Sequence, residues 1–156
     1  MFLANYIDAI NKRVIICDID WTVANLGHRL HFIQWEKKDH EWFYANVWLD
    51  TPIQPVIDVI NSLSKSHTII FVSWRRNQTY RDTKSWLHKY GVQYDYLLMR
   101  WSWDRRPDTE VKEWIYNRCL KDLNIVWVFD DRPSVCEKRR ELGLFVFNCQ
   151  QGYKEF

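Results

Sequence analysis

The sequence predicts an α/β chain in which a central parallel sheet is sandwiched between two layers of helices. Short apolar runs rich in β-branched and aromatic residues recur along it and read as continuous rather than alternating, the mark of strands buried on both faces. Helical patterns fill the intervals, which implies parallel pairing through crossovers and a three-layer α/β/α sandwich. At 156 residues, 47% hydrophobic and 27% charged, the chain has the profile of one ordinary globular domain, residues 1–156.

The first expected strand is Arg13 to Cys17, followed by Thr68 to Val72, Tyr96 to Met99, Ile125 to Phe129, and Leu144 to Phe147. The first expected helix, Pro55 to Leu63, opens on a proline, which suits a first helical turn. Gln78 to Tyr90 stops against Gly91, a natural C-terminal stop. Pro107 to Leu123 starts with Asp108, Thr109 and Glu110, acids that suit a positive helix start. Pro133 to Leu142 ends at Gly143. Residues 27–50 break this rhythm. Dense in aromatics and charge, they are expected to form an inserted helical flap over the strand ends.

Several classes are excluded. No apolar run approaches the roughly 18 residues of a membrane span, and Lys12 and Arg13 follow the first apolar stretch, the reverse of a secretory leader. The cysteines, Cys17, Cys119, Cys136 and Cys149, form no CxxC pair and read as free thiols in a reducing cytoplasm. A formal charge of +2 is too even to argue nucleic-acid binding by charge alone. No GxxxxGK[ST] occurs, so no ATP-binding P-loop is expected.

Functional loops of such a sheet lie at the carboxyl ends of its strands. There the chain carries Asp18-Ile19-Asp20-Trp21-Thr22, Ser73-Trp74-Arg75-Arg76 and Asp130-Asp131-Arg132, with Asp108 and Lys112 on the helix before the fourth strand. Four carboxylates at one edge, Asp18, Asp20, Asp130 and Asp131, repel unless a cation joins them, and all-oxygen ligation suits Mg²⁺. Ser73, Lys112 and the arginines could hold an anion beside it. A carboxylate can attack phosphorus, and a second can protonate the leaving oxygen and later deprotonate water. Plainer readings exist for the same residues: a first-turn acid for Asp108, a surface arginine for Arg29, a solvated helix lysine for Lys112, and a turn for Asp130-Asp131.

The ordered set of DxDxT, a strand-end serine, a helix lysine and an acidic pair resembles the four motifs of the haloacid dehalogenase (HAD) phosphohydrolases. The likeness extends to the 3′-phosphatase domain of bacteriophage polynucleotide kinase through FVSWR (71–75), LLMR (97–100), the Asp108 to Lys112 spacing and FDDR (129–132). That resemblance implies a HAD-like Rossmannoid fold, with Asp18 as nucleophile, Asp20 as general acid/base and Lys112 completing the catalytic set. It implies Mg²⁺ on Asp18, the Asp20 carbonyl, Asp130 and Asp131, with Ser73 and Lys112 on the phosphoryl group. Thr22, Arg29, Trp74, Arg75 and Asp108 are its further substrate-side positions. The expected activity is removal of a 3′-phosphate from a DNA or RNA end. The alternatives are hydrolysis of free nucleotides or other small phosphate esters, and a silent phosphate- or nucleic-acid-binding module.

The chain departs from the pattern in one systematic way. Trp21, Trp74 and Trp103 stand where related sequences tend to have glycine, in a chain with 4 glycines and 10 tryptophans; Trp48 is a fourth candidate. Three readings are open: an aromatic wall for a nucleobase, loss of catalysis, or a genome that reads UGA as glycine. The third accounts for the glycine deficit and the tryptophan excess together.

Overall fold

The computed structural model describes residues 12–34 and 36–152. Its five-stranded sheet is built on β1 (Val14–Cys17), which pairs in parallel with β4 (Thr68–Arg76) on one side and β6 (Ile125–Asp130) on the other. β5 (Tyr96–Arg100) and β7 (Val146–Asn148) complete the order β5-β4-β1-β6-β7, again with parallel pairing. Alternation along the strands assigns the two faces. Ile15, Cys17, Ile69, Phe71 and Met99 pack against α3 (Gln54–Leu63) and α4 (Tyr80–Lys89), through Ile57, Ile60, Trp86 and Leu87. Val14, Ile16, Ile70, Val72 and Val128 pack against α5 (Asp108–Ile115) and α6 (Pro133–Glu141), through Val111, Ile115 and Cys136. Burial on both faces explains why these strands read as unbroken apolar runs. The three-layer α/β/α sandwich is as predicted.

Element boundaries moved where local hydrogen bonding overrode the pattern. β4 runs on through Arg76, because pairing with β5 resumes at Arg76 opposite Arg100 after an irregularity at Ser73. Ser73, Trp74 and Arg75 are therefore strand residues rather than a loop after the strand. β7 starts at Val146 instead of Leu144: Gly143 takes φ +81°, and the Leu144 amide donates to the Arg139 carbonyl at 3.1 Å, closing α6. The helix expected from Pro107 splits into α5 and a wider π-helical turn, Tyr116–Leu120. α4 begins at Tyr80, after a 3-10 turn at Asn77–Thr79.

Between β1 and α3 the chain makes an excursion closed at its neck by a small antiparallel ribbon, β2 (Ala24–Asn25) with β3 (Thr51–Pro52). It contains α1 (His31–Gln34) and α2 (His40–Ala45), the latter capped by Asp39, whose side chain accepts from the Trp42 amide at 3.0 Å. Leu26, Phe43 and Tyr44 form its core, joined by Trp21 and Trp74, which seats it on the end of β4. Trp35 lies outside the described residues. Among the described residues no helix is long and apolar enough to cross a membrane. All four cysteines are free, with Cys17 and Cys136 buried.

Candidate active site

Strand order reverses about β1 and β6, and such a switch point opens a crevice at the carboxyl ends of its two strands. β1 and β6 deliver Asp18, Asp20, Asp130 and Asp131 there, none more than 4% exposed. Continued sheet pairing fixes Asp18, whose amide donates to the Phe129 carbonyl at 2.9 Å. One carboxylate oxygen from each of Asp18, Asp130 and Asp131 lies within 4.8 Å of the other two. From α5, buried Lys112 reaches in with Nζ 2.8 Å from Asp130 Oδ2, 3.1 Å from Asp18 Oδ1 and 3.4 Å from Asp108 Oδ2. Thr22 donates to Asp131 Oδ1 at 3.2 Å. Asp18 Oδ1 is buried and, despite the nearby ammonium, accepts no hydrogen bond of good geometry.

The protonation pattern follows from this crowding. Burial pushes the Asp18 carboxyl well above the ordinary range; Lys112 opposes that, while Asp130, Asp131 and Asp108 add to it. Burial and the neighbouring Asp130 raise Asp131 to about 7. Lys112 goes the opposite way: burial disfavours its charge, but Asp108, Asp130 and Asp18 together hold its pKa well above normal. The cluster thus has more buried negative charge than one lysine neutralises. An added cation is the direct physical remedy, so the residues fit a hard divalent ion with oxygen ligands.

Asp20 is in different company. Arg75 Nε lies 3.0 Å from both its oxygens, Arg75 Nη2 is at 2.7 Å and Arg29 Nη2 at 3.1 Å. Both arginines also grip Asp50: Arg29 through Nε at 2.7 Å and Nη2 at 2.8 Å, Arg75 through Nη2 at 2.6 Å. His28 reaches the same carboxylate at 2.8 Å, and Trp86 donates to the Asp50 carbonyl at 2.7 Å. Burial would raise the Asp20 carboxyl, but the charges of Arg75 and Arg29 and the hydrogen bonds from Arg75 outweigh it and hold it below the usual range. Two buried guanidiniums and two buried carboxylates therefore balance.

The predicted residues divide between these two groups. Asp18, Lys112, Asp108, Asp130, Asp131 and Thr22 converge on the first; Asp20, Arg29 and Arg75 form the second. Arg29 is no surface arginine, being fully buried. The guanidinium of Arg75, expected on the substrate side, is engaged by Asp20 and Asp50. Ser73 is buried beside the clasp, and its Oγ accepts from the Arg75 amide at 3.2 Å. Asp50 and His28 were not singled out in the sequence. No motif surrounds Asp50, and only its place as the last acid before the expected helix at Pro55 marks it.

The tryptophans separate as well. Trp21 has φ +62°, the only positive φ on a non-glycine among the described residues, which is the backbone of a glycine position. Trp74 and Trp103 have no such backbone. Trp74 is half-buried, packs on Phe43 and Tyr44 with Arg100 over its ring at 5.3 Å, and lines a groove beside Arg100 and Asp108. Trp103 is 71% exposed.

Comparison with known families identifies the chain. Residues 12–153 match the model of the polynucleotide kinase PNKP phosphatase domain. The chain belongs to this family of phosphatase domains. Among its relatives is a protein of Autographa californica nuclear polyhedrosis virus named as a bifunctional polynucleotide kinase/RNA ligase, 32% identical over 149 residues. That match covers 92% of this chain and 20% of the viral protein. A chain in the structure of a Pnkp1/Rnl/Hen1 complex is 28% identical with a TM-score of 0.78, over 93% of this chain and 47% of that one. A HAD family enzyme from Bacteroides thetaiotaomicron, solved with magnesium and inorganic phosphate, shares the fold at 12% identity and TM-score 0.58, over 92% of this chain and 97% of that one. The phosphatase domain thus spans a fifth of its viral relative and about half of its counterpart in the complex.

Proposed function

We propose that this phosphatase domain is a Mg²⁺-dependent polynucleotide 3′-phosphatase that works through an aspartyl-phosphate on Asp18. One observation carries the reading: a buried Asp18 oxygen with no hydrogen bond, 3.1 Å from Lys112 and clustered with Asp130 and Asp131. Mg²⁺ held by Asp18, Asp130, Asp131 and the Asp20 carbonyl would neutralise the acids and the incoming phosphate. Asp18 then attacks phosphorus, and the bond from phosphorus to the sugar oxygen breaks. Lys112 and the Ser73 hydroxyl, whose proton is not used by its contact with the Arg75 amide, bind the equatorial oxygens.

Asp20 supplies the proton to the departing oxygen in the first half-reaction and takes one from water in the second, releasing inorganic phosphate. In the arrangement seen here, its two arginines hold it as the anion, the form that serves the second half. Relatives associated by name with polynucleotide kinase and RNA ligation support a nucleic-acid end as the substrate. The test is phosphate release from oligonucleotides bearing 3′- or 5′-phosphate and from mononucleotides, with and without Mg²⁺, using Asp18→Asn as control. Release from the 3′ end, dependent on Mg²⁺ and absent in the control, is expected. Equal turnover of all three substrates would overturn the 3′-end assignment, and full activity in the control would overturn the nucleophile.

A further inference from the structure

A groove of about 450 Å³ leads away from the phosphoryl centre between the flap and the sheet edge, a size that accepts a ligand of nucleotide dimensions. Asp108, which lines it, lies 3.4 Å from Lys112, so the groove is next to the Asp18–Lys112 centre. Its walls carry cations, with Lys38 on the flap and Arg100, Arg106 and Arg132 opposite. Arg106 is engaged by Asp104 at 2.6 Å. Arg100 is different. Its guanidinium lies over the Trp74 ring at 5.3 Å and donates to the Tyr44 hydroxyl and to the Arg106 carbonyl, each at 3.3 Å, while its buried Nε has no hydrogen-bond partner. Arg76 lies over Tyr44 at 4.9 Å and likewise has a buried Nε without a partner.

Arg100 lines the groove and Arg76 is its partner across β4 and β5, so two guanidiniums stand together at this rim, each with a donor that no protein group takes. The local field agrees. Burial lowers the His40 pKa, and the charges of Arg76, Lys38, Arg105 and Arg100 lower it further, so four cations converge on this rim.

We propose that this groove is the subsite for the nucleotide preceding the terminal phosphate, with Arg100 and Arg76 on the phosphodiester that joins it to the strand. The proposal rests on the assignment of the Asp18–Lys112 centre to the terminal phosphate. It makes the enzyme selective for strands of at least two nucleotides over 3′-mononucleotides, although the chain as a whole is nearly neutral. Selectivity comes from two local arginines rather than a basic face.

The test compares kcat/KM for 3′-phosphorylated mono-, di- and trinucleotides and for p-nitrophenyl phosphate. A rise of about tenfold or more from mono- to dinucleotide is expected, with little further gain at three. In Arg100→Gln and Arg76→Gln the dinucleotide should lose about tenfold more than the mononucleotide. Equal values for mono- and dinucleotide in the unmodified protein, with p-nitrophenyl phosphate turned over, overturn the subsite and leave the phosphatase reading standing. Binding of a fluorescent 3′-phosphorylated decanucleotide to Asp18→Asn tests the groove without turnover. Each arginine removed should flatten the dependence of log Kd on log salt by about 0.7, the single-strand value per phosphate contact. An unchanged slope refutes the subsite whatever the chemistry at Asp18.

Discussion

Replacing Asp50 by asparagine leaves two buried guanidiniums facing one carboxylate. The side chain is fully buried, and it takes three contacts of 2.6–2.8 Å from Arg29 and Arg75 and one of 2.8 Å from His28. At that depth neither salt nor water screens the imbalance. Breaking a buried ion pair from one side costs about 3–5 kcal/mol. Asparagine keeps the shape and one acceptor oxygen, which places the loss near 3 kcal/mol on the same scale. For a domain of this size, at about 2–4 °C per kcal/mol, the melting temperature should fall by about 6–12 °C. Differential scanning calorimetry reads the shift directly. The double variant Asp50→Asn/Arg29→Met removes one charge of each sign, so its loss should be smaller than the sum of the single losses by about 1 kcal/mol or more. A fall below about 2 °C, or strictly additive losses, would refute the charge-balance argument.

Asp18→Asn should reduce kcat by a factor of at least about 10³ and, by removing a buried charge that its surroundings disfavour, raise the melting temperature of the metal-free protein. Stability should also depend on pH. With Asp131 raised to about 7, the folded metal-free protein keeps a proton that the unfolded chain releases near the ordinary carboxyl value, so stability falls as pH rises toward 7. Thermal scans with EDTA should show that decline, and millimolar Mg²⁺ should reverse it. At position 21, Trp21→Gly should be more stable than Trp21→Ala by about 1 kcal/mol, the reverse of the usual order, because φ is +62° there. Equal melting temperatures for the two would remove the structural support for glycine at that position.

Much of this was legible because strand ends announce themselves. A run buried on both faces that stops at paired acids identifies the carboxyl edge, and β1 and β6 put Asp18 and Asp130 side by side there. The division of labour among the charged residues was not legible. Arg75 and Arg76 are neighbours in one strand, and alternation sends Arg75 into the clasp with Asp20 while Arg76 stacks on the flap's Tyr44. Nothing separates two adjacent arginines in the sequence until the strand is known to continue through them. Asp50 was invisible for a related reason: its partners come from the flap turn and from β4, and no local spacing records a contact made by tertiary packing. The positive φ at Trp21 bears on a puzzle that composition raised, and it favours glycine at position 21 while leaving 74 and 103 without that argument.

The clasp has a consequence for Asp20. Arg29 and Asp50 stand near the two ends of the excursion, and both belong to the knot that holds Asp20. Asp20 is held from both sides, by Arg75 on β4 and by Arg29 on the excursion, so the packing of the excursion and the protonation of that aspartate are linked.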